Sequence, residues 1–199
     1  MKWVPVVLLT AFGLAACNSD GEQAGQIDDC SVIQSINTSR ADTPPFSSLR
    51  GEPVTLGDMV LDNQYLAERS PFGAQCEIST IDQFFGTDTD LHLYGCSLYE
   101  RAGSFDREAR EVEARALFDE ARTTLTQCLG SEWEVVETTQ NANFEVYHKI
   151  KLTPPEGAAV IADFTVDMMF LTLAYTPLMN QPGRGTGWRV QFQAQQPSE

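Results

Sequence analysis

Two spacings of apolar residues alternate along this chain, and they sort it into helices and strands. Across residues 106–129, Ala114, Leu117, Phe118, Ala121, Leu125, Cys128 and Leu129 recur at the helical repeat and form one apolar face. Ser104 or Asp106 can cap the start, and Gly130 stands where a left-handed residue closes a helix. The opposite side sets Asp106 four residues from Arg110, Arg107 from Glu111 and Glu111 from Arg115, a pattern that reads as a solvated helix face. A shorter run, Cys30, Ile33 and Ile36 behind Asp28 and Asp29, predicts an N-terminal helix that Thr43, Pro44 and Pro45 end.

Period two marks most of the remainder. Residues 74–81 and 90–99 read as strands around a loop at Gly86. In a hairpin centred there, Cys76 lies opposite Cys96, Ile78 opposite Tyr94 and Thr80 opposite His92, all on one face. Residues 133–138 and 144–152 give two further strands. Residues 159–175 are apolar, rich in β-branched and aromatic side chains, and predict one strand or bulged strand. Trp188, Val190 and Phe192 alternate with polar neighbours in a last strand, and residues 196–199 are expected to fray. Upstream, Val54, Leu56 and Val60 suggest an irregular strand interrupted at Gly57 and Asp58. These elements predict an α+β fold: a single domain, residues 30–195, whose antiparallel sheet packs against one long helix plus a short N-terminal helix.

Charge removes one class of function. The chain has 13 basic against 28 acidic side chains, a net charge of −15. Binding to nucleic acid draws on Lys and Arg against phosphate, so no nucleic-acid partner is expected. Catalytic patterns are sparse. His92 and His148 have no second histidine at metal-ligand spacing, and no Gly-x-Ser-x-Gly elbow or phosphate loop occurs. If the two histidines met across the sheet, with Asp88 or Asp90 orienting one ring, they would make a general base, which keeps a hydrolase open. Asp88, Thr89 and Asp90 read as a turn, lacking the longer spacing of a calcium loop. The glycines around Arg184 precede a strand and not a helix, so a mobile hairpin loop is expected there, with Arg184, His92 and His148 as candidate ligand contacts. No metal and no cofactor is called for.

The N-terminus supplies an address. Lys2 precedes an apolar run from Trp3 to Ala16, too short to span a bilayer, and polarity changes abruptly after Cys17. Leu14, Ala15, Ala16 and Cys17 resemble the lipobox of bacterial lipoproteins, in which the cysteine thiol is joined to a diacylglycerol and becomes the acylated N-terminus. The resemblance covers the signal peptide, residues 1–16, and the lipobox, and stops there. It implies lipidation of Cys17, attachment to a membrane through that lipid, and residues 17–29 as lipidated cysteine and polar tether with a reach of about 20 Å. In such lipoproteins an aspartate directly after the cysteine favours the inner membrane. Asn18 stands there instead, which implies the outer membrane, facing the periplasm.

Cysteine accounting agrees with that address. Assigning Cys17 to lipid leaves Cys30, Cys76, Cys96 and Cys128, an even set that can pair fully in an oxidising compartment. Three connectivities are open. Cys76 with Cys96 and Cys30 with Cys128 is favoured, and its chief rival joins Cys96 to Cys128. The sequence thus reads as a lipid-anchored bacterial envelope protein. Its disulfide-stapled domain would bind an envelope protein partner or a small ligand without catalysis, the alternative being a small periplasmic hydrolase using His92 or His148.

Overall fold

The computed structural model describes residues 28–103, 105–177 and 187–198. Helix α1, Asp29–Ser39, starts where the Asp28 carboxylate accepts the Cys30 N–H at 3.2 Å, and it buries Val32, Ile33 and Ile36. Helix α2, Arg107–Leu129, buries Ala114, Phe118, Ala121, Leu125, Cys128 and Leu129, and Gly130 closes it with a positive φ of 82°. Asp106 occupies the cap position of α2, but its side chain makes no capping hydrogen bond; Ser104 lies outside the described residues. Of the three expected charge pairs, Glu111 with Arg115 forms. Arg107 instead pairs with Glu145, and Arg110 donates to the Ala102 carbonyl at 2.7 Å. Partners across the loops compete with the local pairs because exposed pairs within a helix are weak.

Eight strands make one sheet: β1 Arg50–Leu56, β2 Met59–Ala67, β3 Gln75–Ile81, β4 Asp90–Ala102, β5 Glu134–Thr138, β6 Val146–Thr153, β9 Met169–Thr176 and β10 Gly187–Ser198. The order is β1-β2-β3-β4-β10-β9-β6-β5, antiparallel throughout. The last strand therefore enters at the centre, between β4 and β9, and joins the two halves. Its alternation aims Trp188, Val190, Phe192 and Ala194 at the helices, where all four are fully buried. Gly187 opens it at φ 121°. A Cβ there would stand 2.0 Å from the Arg101 carbonyl oxygen, so only glycine admits this approach.

The architecture is the expected α+β class, with an antiparallel sheet, one long helix and a short N-terminal one. The hairpin register is also as expected, with Cys76 opposite Cys96, Ile78 opposite Tyr94 and Thr80 opposite His92. Three local expectations change. The irregular strand at Val54 to Val60 is a true hairpin, β1 and β2 turning at Gly57 and Asp58. Residues 159–175 are not one strand: β7, Val160–Ile161, and β8, Phe164–Thr165, form a separate small hairpin before β9. Nor does the chain fray after Gln195. Strand β10 stays paired with β4 through Ser198, where the Ser198 hydroxyl meets His92.

The small hairpin lies on the face of the sheet opposite the helices. Leu91 and Leu93 alternate with the core residues His92 and Tyr94, and they pack with Ile161, Val166 and Met168 in a second, smaller apolar cluster. Elsewhere that second face is mixed, with Phe170, Ala174 and Tyr147 among polar residues. Gln191, Thr172 and Lys149 stand in one row, consistent with an antiparallel sheet wetted on one side.

Candidate functional site

The two cysteine pairs are those favoured from the sequence, Cys76 with Cys96 across β3 and β4, and Cys30 with Cys128 joining the start of α1 to the end of α2. Cys17 and Arg184 lie outside the described residues, as does most of the glycine-rich loop.

His92 and His148 share the core-facing side of the sheet but do not meet. His92 stands in the row of Gln196, and His148 in the row of Leu173 and Val190, three strands away. Strand geometry sets them roughly 25 Å apart. Each instead holds elements together. His92 is 3% exposed, with Nδ1 3.0 Å from the Thr80 hydroxyl and Nε2 2.8 Å from the Ser198 hydroxyl, so it ties β3, β4 and the end of β10. His148 sets Nε2 3.2 Å from the Glu137 carboxylate and rests its ring 4.6 Å from that of Phe118, linking β5, β6 and α2. Glu137 also pairs with Arg122 of α2. Asp90 orients neither imidazole; its carboxylate accepts the Gln83 N–H at 2.9 Å. Among the described residues no cluster of three or more metal-ligating side chains occurs.

Burial holds the His92 imidazole below its ordinary pKa, the charge of Arg50 adds to this, and Asp90 and Asp82 oppose it. The unfolded chain takes up this proton near the ordinary value of 6.5, whereas the folded chain resists it to lower pH. Stability from neutral His92 is therefore fully present above pH 6.5 and is lost as pH falls through the folded-state value. Between about pH 7.5 and pH 5 the melting temperature of the wild type should drop more than that of His92→Gln, which keeps a polar side chain for Thr80 and Ser198. Parallel pH profiles of the two proteins would contradict this placement of the histidine.

Two surface features were not singled out from the sequence. At the loop between β5 and β6, Gln140, Asn141, Phe144, Glu145 and Tyr147 line an open cleft of about 360 Å³, with the rings of Phe144 and Tyr147 stacked 5.2 Å apart. Arg107 reaches this corner from the start of α2, where it pairs with Glu145 and lies 4.3 Å above the Tyr175 ring. Beside the small hairpin, Phe84, Phe85 and Phe164 form a surface knob. Phe84 and Phe85 are 4.4 Å apart, and Phe85 and Phe164 5.5 Å. Phe85 is 74% exposed and Phe164 48%. The adjoining pair Phe84-Phe85 beside Gly86 was visible in the sequence, but two phenylalanines in a short connection read equally well as buried.

The class so defined is an α+β domain in which two disulfides join strand to strand and helix to helix. No family model matches the chain, and no curated protein or solved structure is significantly similar to it.

Proposed function

We propose that this protein is a lipid-anchored component of a bacterial envelope, held by Cys17 to the outer membrane and facing the periplasm, whose domain binds another protein or a small ligand and catalyses nothing. The observation that carries the reading is the cysteine pairing: once Cys17 is assigned to lipid, the other four form two disulfides, which persist in oxidising compartments. The lipobox resemblance supports the same address. Cys17→Ala should remove fatty-acid labelling and move the protein from the membrane to the soluble fraction. Labelling that persists in that variant would overturn the anchor.

A second reading rests on Ser198, His92 and Thr80, because a hydroxyl 2.8 Å from an imidazole that is itself oriented by a hydroxyl matches the spacing of a nucleophile and its base. Burial of His92 disfavours access by a substrate. Hydrolytic activity that is lost in His92→Gln while the fold is kept would favour this reading over binding.

A further inference from the structure

We infer that the knob of Phe85, Phe164 and Val160 is the docking site for a basic protein partner, one whose apolar pocket is rimmed by Lys or Arg. The inference rests on the binding function proposed above and names its site. Phe85, Phe164 and Val160 are 74%, 48% and 63% exposed, and the rings touch one another above the small cluster of Leu91, Ile161, Val166 and Met168. The knob is therefore seated on its own apolar base. Its backbone is held in costly conformations, since Gln83, Phe85 and Ala162 all have φ near +50° without being glycine. Such strain persists only where the surroundings impose it, and it gathers at functional surfaces.

Charge selects the partner. Asp82 and Asp88 flank the paired phenylalanines, Asp163 directly precedes Phe164, and all three are exposed. Residues 80–92 and 156–168, which carry the knob and its base, contain no Lys or Arg; the nearby cations Lys149 and Lys151 are paired with Asp167. An apolar centre flanked by carboxylates is complementary to a pocket rimmed by Lys or Arg. The same carboxylates oppose docking against a second copy of this chain and against anionic lipid.

Position points the same way. The chain enters α1 beside Phe72, whose N–H donates to the Asp29 carboxylate at 2.8 Å just before β3 begins. The knob lies past the other end of β3, about 20 Å along the strand. A domain tethered through its N-terminus thus carries the knob on the end away from its attachment.

The test places a photoreactive benzoylphenylalanine at position 85, and for comparison at Val112 on the exposed side of α2, in the full chain within the cells that make it. We expect one discrete adduct from position 85, none from 112, and its loss when Asp82→Lys and Asp163→Lys are introduced together. Once the captured protein is identified by mass spectrometry, Phe164→Ser in the detergent-extracted chain should weaken its binding about tenfold or more. An adduct of twice the chain's mass, or one indifferent to charge reversal, would overturn the inference. An adduct from 112 but not from 85 would overturn the site while leaving a binding function in place. With no adduct from either position, the binding function and the site would fall together.

Discussion

A chain shortened to end before Gly187 should not fold, and Phe192→Ala in the full chain should lose about 3 to 5 kcal/mol of stability. Both follow from the place of β10. It pairs with β4 on one edge and with β9 on the other, so without it β1 to β4 and the β5, β6, β9 group share no strand. It also carries four fully buried side chains into the core under α2, Phe192 among them. Removing the Phe192 ring deletes its transfer free energy and leaves a cavity that the rigid sheet fills poorly. Gln193→Ala, one residue on and facing the wet side, should change stability by less than about 0.5 kcal/mol. Urea unfolding followed by circular dichroism measures all three. Equal losses at 192 and 193 would contradict the assigned facing of the strand.

Replacing Cys30 and Cys128 together with alanine should cost about 4 to 5 kcal/mol, against about 3 kcal/mol for the same change at Cys76 and Cys96. The order comes from chain entropy. The first pair is separated by 98 residues and the second by 20, so the first bridge restricts the unfolded chain more. It also joins α1 to α2, two helices otherwise held by side-chain packing and a hydrogen bond from the Gln34 amide to the Cys128 carbonyl, whereas β3 and β4 are already hydrogen-bonded through seven aligned residue pairs. Urea midpoints of the two double variants give the ranking directly. A larger loss at Cys76 and Cys96 would show that native packing, and not loop closure, dominates.

Local features were legible in the sequence where neighbours along the chain are neighbours in space. Residues 76–80 and 92–96 flank one short connection, so their alternation and the position of Gly86 set the register down to the disulfide. Helix α2 was equally legible, because seven apolar residues at helical spacing admit little else. Strand order was not. Nothing in the alternation of Trp188, Val190 and Phe192 tells a central strand from an edge one; that depends on pairing with β4, nearly a hundred residues earlier in the chain. Residues 159–175 misled for a related reason. Their composition suits a continuous strand, but a turn at Ala162 and Asp163 folds the first part back on itself, and its apolar residues cover Leu91 and Leu93.

The candidate site was less legible than the fold. Both histidines stood on the strand faces expected, yet Ser198 is more than a hundred residues from His92, and Glu137, though eleven residues from His148, meets it only through the register of β5 on β6. Phe84 and Phe85 reverse the usual inference from apolar residue to core: Phe84 packs on the small cluster, and the left-handed backbone of Phe85 directs its ring outward.

The proposed envelope role requires that Cys17 take the lipid while the other four cysteines pair. The intact mass of the mature protein, extracted from membranes without reductant, tests both parts at once. It should correspond to a chain beginning at an acylated Cys17, with no free thiol among Cys30, Cys76, Cys96 and Cys128. A mass that retains residues 1–16, lacks the acyl groups, or includes an alkylatable thiol would contradict it.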